Sequence, residues 1–191
     1  EADILKNFQE KPVEMKVFSW NHREVDTVMT PWDSIRYHKN FLRAGFMAMD
    51  PLTGHVKAYV GGPDFKFFKY DMVATGKRQI GSTIKPYLYT LAMEEGMSPC
   101  DGMIHGPVTL ITETGEEWTP RNSRGANGEF VSIKWGLQNS DNWVTAYLMK
   151  QFSPYAFARM LQSFGLKTPA PPVVSLALGP NDASVYEMVG A

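Results

Sequence analysis

A serine and a lysine three positions apart, Ser82 and Lys85, open a stretch from Gly76 to Gly96 that reads as a short helix. Side chains at i and i+3 lie on one helix face, so the hydroxyl and the amine are expected to meet. That pairing sets a base beside a nucleophile, because a serine hydroxyl needs a neighbour to take its proton. Pro86 lacks an amide hydrogen and is tolerated only near a first turn, which places Ser82 and Lys85 at the amino end. Leu88, Leu91, Ala92 and Glu95 continue the helical spacing, and Gly96 with Pro99 stops it. The helix is expected to be short and mostly buried.

A second polar group, Ser140-Asp141-Asn142, lies at a break between two helical stretches. By itself it reads as a set of helix caps. The rest of the chain narrows the chemistry. A single cysteine, Cys100, excludes an internal disulfide framework, and no Cys/His pair has zinc-ligand spacing, so neither a metal nor another cofactor is expected. His22, His38, His55 and His105 are scattered and read as surface or core residues. A net charge of -1 with no long basic run gives no electrostatic case for nucleic acid or an anionic membrane. No apolar run approaches the roughly 20 residues that cross a bilayer, and no signal-peptide pattern opens the chain.

The elements that must carry these residues can be read in order. Residues 1 to 35 read as a linker or small appended segment, within which Lys11 to Phe18 alternates like a strand. Ser34 to Leu42 reads as a short helix with Ser34 near its cap. Gly45 to Met49 and His55 to Val60 flank an Asp50-Pro-Leu-Thr-Gly54 turn, the pattern of an antiparallel hairpin, with Val56, Ala58 and Val60 on one face. Phe65, Phe67, Phe68 and Tyr70 read as packing aromatics.

Residues 98 to 130 are turn-rich, with a short strand expected over Pro107 to Thr112. Ser132 to Gln138 is expected as a capped helix, followed by helices over Trp143 to Gln151 and about Tyr155 to Phe164. Ser184-Val-Tyr-Glu187 matches a capping box at the start of a last helix. The chain stops inside that helix and is expected to be a cut piece.

Taken together, Ser82-Thr-Ile-Lys85 and Ser140-Asp-Asn142 are two of the three motifs shared by penicillin-binding proteins and class A β-lactamases. Asp50 to Gly62 and Lys77 to Pro86 resemble the transpeptidase domain of class A penicillin-binding proteins. Trp118-Thr-Pro-Arg-Asn122, Ser175-Leu-Ala-Leu-Gly179 and Tyr186-Glu-Met188 fall in that family's order, so the resemblance runs from about Pro12 to the end. It implies a mixed α/β (α+β) fold of the β-lactamase/transpeptidase-like type, an antiparallel sheet flanked by helices. Residues 36 to 191 would form the amino-terminal part of that domain.

The resemblance further implies that Ser82 is acylated and Lys85 takes its proton, which burial or nearby positive charge must make possible by lowering the lysine's pKa. The helix amino end favours the developing oxyanion, and the amide of Ser82 is a candidate donor to it. Ser140 would pass a proton to the leaving D-alanine. Asn142 would hold Lys85 and the substrate's carbonyl, while Trp118 and Asn122 would shape the substrate groove. Asp141 is given no chemistry beyond a helix-start charge. The implied reaction is DD-transpeptidation: a D-Ala-D-Ala stem peptide acylates Ser82, an amine of a neighbouring stem attacks, and β-lactams inhibit by acylating the same serine. The implied partners are peptidoglycan stem peptides and cell-wall synthesis proteins. The implied location is periplasmic or extracytoplasmic, with a membrane anchor, and with it a glycosyltransferase domain, outside this chain.

The family's third motif, Lys-Thr-Gly, is absent. Lys167-Thr168-Pro169 is a decoy, because it ends in proline, which cannot donate the backbone hydrogen bond an inner strand needs. The motif is expected beyond Ala191, so the fold is incomplete here and the chain alone is expected to be inactive. A serine β-lactamase is the nearest rival reading. From Asn142 to Asn181, however, there is no aspartate or glutamate to activate the deacylating water. A non-catalytic β-lactam sensor or scaffold is the rival of another class.

Overall fold

The computed structural model describes residues 2–191. They form two compact units, divided between Gly76 and Lys77. The first unit begins with α1 (Ala2–Glu10), then a hairpin of β1 (Val13–Ser19) and β2 (Arg23–Met29), registered from Val13 opposite Met29 to Ser19 opposite Arg23. Helix α2 (Pro31–Lys39) follows directly.

The expected start of α2 at Ser34 is corrected. Thr30 is the cap, its side chain accepting from the Asp33 amide at 3.0 Å, and Pro31 takes the first turn, where its missing amide hydrogen matters least. Ser34 lies one turn inside, its hydroxyl donating back to the Pro31 carbonyl at 2.8 Å. Helix α2 is tied to β1 at Phe18: the Tyr37 hydroxyl donates to the Phe18 carbonyl (2.8 Å), and the Phe18 amide donates to His38 Nε2 (3.3 Å). Phe18 is buried among the rings of Trp20, Phe41 and Phe68, each 5.1 to 5.2 Å away, which bears out the packing role for Phe68, whereas Phe65 and Tyr70 of the same stretch are exposed.

The hairpin is present as β3 (Phe46–Met49) and β4 (Val56–Val60), antiparallel, with Asp50 Oδ1 accepting the amides of Leu52 and Thr53 at 3.0 Å to shape the turn. The alternation of Val56, Ala58 and Val60 predicts one covered face, but every residue of β4 is exposed.

The second unit is built on helices. Strand β5 (Lys77–Gln79) leads through a 3-10 turn (Gly81–Ile84) into α3 (Lys85–Glu94). Strands β6 (Gly102–Ile104), β7 (Leu110–Ile111), β8 (Glu117–Trp118) and β9 (Phe130–Ser132) occupy the turn-rich region. They pair antiparallel as β6 with β9 and β7 with β8. Helices α4 (Ile133–Gln138), α5 (Asn142–Gln151) and α6 (Pro154–Ser163) follow, then a 3-10 turn (Val174–Leu178), β10 (Asp182–Ser184) and α7 (Val185–Gly190).

Caps read from sequence are in place. Ser132 accepts from the Trp135 amide at 3.1 Å, and Ser184 and Glu187 form the reciprocal capping box. Ile84, Leu88, Val144, Leu148, Phe157, Leu161 and Leu176 form the core between α3, α5, α6 and the second 3-10 turn. Burying such side chains is worth about 1.5–3 kcal/mol each, which makes α3 a fixed platform.

Candidate active site

Ser82 sits exposed in the 3-10 turn that precedes α3. The turn is held from behind by the end of the chain. Strand β5 pairs with β10, and the ladder continues as Ile80 N–H to the Asn181 carbonyl (3.1 Å) and Gly81 N–H to the Gly179 carbonyl (2.9 Å). Gly179 is required there. Its φ of 67° is left-handed, and a Cβ on it would lie 2.2 Å from the Gly81 carbonyl oxygen. The Ser175 to Gly179 stretch thus has a physical task, to close against the turn that carries Ser82.

Lys85, on the first turn of α3, is 1% exposed. Its ammonium donates to the Ser140 carbonyl (2.6 Å), Ser140 Oγ (3.2 Å) and Asn142 Oδ1 (2.7 Å). An ammonium has three hydrogens, so every donor is used. Burial lowers its pKa to about 8, against the opposing pull of the Asp141 carboxylate. The i, i+3 spacing predicts that the Ser82 hydroxyl and this amine meet, and here the structure differs: among the described residues no hydrogen bond joins them. The lysine reaches inward, where three acceptors wait, while Ser82 stays in solvent.

The acceptors are presented by the break between α4 and α5. Gly136 lets the two helices close, since a Cβ there would meet Val144 Cγ1 at 2.4 Å. Ser140 then adopts φ 51°, a left-handed conformation that costs a non-glycine residue about 1–2 kcal/mol. That conformation aims its carbonyl, as well as its hydroxyl, at Lys85.

Asp141 caps α5, its Oδ1 accepting the amides of Trp143 and Val144 at 3.0 Å. Its Oδ2 accepts from His105 Nε2 (3.0 Å) and Asn122 Nδ2 (2.7 Å). Burial pushes this carboxyl up, but the hydrogen bonds from Val144, Asn122 and His105 outweigh it and hold the pKa below its ordinary value. Asn142, besides accepting from Lys85, donates Nδ2 to the Arg121 carbonyl at 2.7 Å.

Of the two residues expected to shape a groove, Asn122 is tied inside the protein. Its Nδ2 serves Asp141 and the Arg124 carbonyl (3.3 Å), and its Oδ1 accepts the Asn142 amide (3.1 Å). Trp118 lies in β8 opposite Leu110 and packs against the hydrophobic core. A groove of about 930 Å³ between α3 and α4 is lined by Pro86, Tyr89, Met93, Ile133 and Leu137 among others, and includes none of Ser82, Lys85, Ser140 or Asn142.

The decoy has its own explanation. The amides of Lys167 and Thr168 donate to Glu187 Oε1 at 3.1 and 2.8 Å, tying the segment after α6 to α7. No cluster of three or more His, Cys, Asp or Glu able to hold a metal occurs among the described residues. None of their helices is long and apolar enough to cross a membrane.

Sequence reasoning missed the buried His105–Asp141 pair, and no local pattern signals a partnership between residues 36 positions apart. What the geometry offers is a buried amine with a lowered pKa one helical turn from an exposed hydroxyl.

Comparison with known proteins bears on what that can do. The family model "Penicillin binding protein transpeptidase domain" matches residues 44–175, and "Penicillin-binding protein middle domain" matches residues 1–42. Penicillin-binding protein 1A of Neisseria cinerea is 31% identical over 153 residues, which cover 78% of this chain and 19% of that protein. The chain therefore spans about a fifth of the length of such relatives. The crystal structure of penicillin-binding protein 1A from Haemophilus influenzae matches with TM-score 0.67 at 24% identity, over 76% of this chain and 22% of that one. The structure of the penicillin-binding protein PonA1 from Mycobacterium tuberculosis matches with TM-score 0.62 at 19% identity, over 98% of this chain and 50% of that one. At these identities the likeness establishes the β-lactamase/transpeptidase fold.

Proposed function

Because the chain belongs to the penicillin-binding protein transpeptidase family, we propose that it carries the serine, lysine and Ser-Asp-Asn parts of a peptidoglycan DD-transpeptidase site. The observation that carries the reading is Lys85, buried, fully hydrogen-bonded to Ser140 and Asn142, and lowered to about 8.

The lowered pKa has a chemical consequence. With a pKa near 8, about a tenth of the lysines are neutral at pH 7, roughly 300-fold more than for an unperturbed side chain. A neutral amine has two hydrogens and one lone pair. It keeps the Ser140 carbonyl and Asn142 Oδ1 as acceptors and frees its third position to take a proton from a hydroxyl. Ser82 Oγ then attacks the carbonyl of the penultimate D-alanine of a stem peptide as its proton passes to Lys85. The C–N bond to the terminal D-alanine breaks, and the departing amine receives a proton from Lys85 through Ser140 Oγ. The Ser82 ester is attacked by an amine of a neighbouring stem, which forms the cross-link and returns the hydroxyl.

Developing charge on the carbonyl oxygen is favoured at the amino end of α3, with the Ser82 amide as one donor. Asn142 and Trp118 border the path of the peptide, and Asn122 acts by holding Asn142. A β-lactam follows the first half of this course, its ring opening on Ser82. No carboxylate lies between Asn142 and Asn181 to activate water, so the ester waits for an amine, and the penicilloyl form persists. Stem peptides place the work outside the cytoplasmic membrane.

Fluorescent penicillin tests the reading on the full-length protein and on this chain. Labelling of the full-length protein that Ser82→Ala abolishes supports it; labelling unchanged in Ser82→Ala contradicts it. Release of D-alanine from a stem-peptide mimic separates turnover from a non-catalytic β-lactam sensor.

A further inference from the structure

Of the contacts between carboxylates and nitrogen-bearing side chains of Lys, Arg or His among the described residues, only His105–Asp141 has both side chains buried, 2% and 0% exposed; the others lie at the surface. We propose that His105 is a positioning residue for this site, fixing through Asp141 the turn whose Ser140 and Asn142 hold Lys85. Its membership of an acyl-transfer site rests on the function proposed above; its effect on Lys85 does not.

His105 follows β6, and its backbone is clamped by its own amide on the Glu129 carbonyl (2.8 Å) and by the Gly128 amide on its carbonyl (3.2 Å). Its ring packs against Trp135 and Trp143, with centroids at 5.3 and 5.2 Å. Among the described residues only Nε2 has a partner, the Asp141 carboxylate, while Nδ1 is buried and meets none. A bare Nδ1 leaves only a lone pair unsatisfied, whereas a protonated one would bury an unpaired charged donor at greater cost. The geometry therefore assigns the proton to Nε2 and the negative charge to Asp141.

Asp141 is bonded to Ser140 on one side and Asn142 on the other. A carboxylate held by four donors cannot rotate without moving both neighbours, and those neighbours supply all three acceptors of the Lys85 ammonium. The other titratable and charged groups around the cluster are few. Tyr89 on α3 lies 3.5 Å from Thr145 Oγ1, which donates to the Asp141 carbonyl. Arg121 offers its carbonyl to Asn142, and the Arg124 guanidinium lies 5.6 Å from the Trp135 ring centre.

The test is the titration of Lys85, followed on this chain through its ¹³Cε resonance in wild type, His105→Phe and His105→Gln. Phenylalanine keeps a ring against the two tryptophans and offers no donor, whereas glutamine restores an N–H. In His105→Phe, Asp141 keeps three donors and stays ionised. Its less shielded field and the entry of water at the loosened turn both raise the lysine, and a shift of about half a unit or more upward is expected. His105→Gln is expected to titrate close to wild type. An unchanged midpoint in His105→Phe, or an equal shift in His105→Gln, overturns the proposal.

If His105→Phe does not fold, ¹⁵N spectra of the wild-type imidazole decide instead. A proton on Nε2 at neutral pH supports the proposal, and one on Nδ1 overturns it. None of these readouts needs acylation, so failure of Ser82 labelling would remove the proposed function and leave this result standing.

Discussion

Replacing Lys85 by methionine should change how stability depends on pH in a direction and amount set by burial. The lysine titrates near 8 when folded and near its ordinary 10.5 when unfolded. Between those values the unfolded chain binds more protons than the folded one, so this group makes stability rise with pH. Below about pH 8 the ammonium is charged in both states, and the full penalty of burying it applies. Above 10.5 it is neutral in both and the penalty is gone. A difference of 2.5 between those values, at 1.36 kcal/mol per unit, amounts to about 3 kcal/mol.

Lys85→Met lacks this group, while the other lysines and tyrosines, including Tyr89 with its pKa raised to about 12 by burial, are common to both proteins. Urea denaturation of both across roughly pH 6 to pH 10 gives the difference directly. Wild type should gain on Lys85→Met by about 2–3 kcal/mol over that span, most of it above pH 8. A difference that stays flat would show that Lys85 is not held with a lowered pKa, and the argument for it as a base would fall with that.

Ser140→Ala keeps the left-handed backbone strain and loses the hydroxyl, whereas Ser140→Gly loses both, so the glycine variant should be the more stable by about 1 kcal/mol in chemical denaturation. Equal stabilities would mean that the φ of 51° stores no strain. Glu187 should matter at neutral pH and cease to matter in acid. Burial pushes its carboxyl up, but hydrogen bonds from Ser184 and Thr168 outweigh this and lower it from 4.5 to about 2. Its contribution is therefore full above 4.5 and lost as the pH falls through about 2, so Glu187→Gln should cost roughly 2–3 kcal/mol at pH 7 and little near pH 2. A pH-independent cost would contradict this.

What the sequence made legible here was either local or carried by a motif. The Asp50 to Gly54 turn, the Ser132 cap and the Ser184–Glu187 box each depend on residues within a few positions of one another, and each is present. The start of α2 was legible too, in Thr30-Pro31, but Ser34 offered a competing cap one turn later. Ser82 and Lys85 share a helix face by spacing, yet spacing does not say which way a long side chain turns. Three acceptors on the α4–α5 break draw the lysine inward. That break, and the His105, Asn122 and Asp141 contacts that fix it, join segments distant in sequence, and periodicity carries no information about such pairs. Asn122 shows the same limit, since its place after Trp118 suggests a groove and its hydrogen bonds make it a strut.

The proposed chemistry depends above all on Ser82 as the acylated nucleophile. Mass spectrometry of the full-length protein after exposure to a penicillin tests it most directly, by locating the adduct. A penicilloyl mass is expected on the peptide containing Ser82, absent in Ser82→Ala and much slower to form in Lys85→Met. An adduct on another residue, or one that persists in Ser82→Ala, would contradict it.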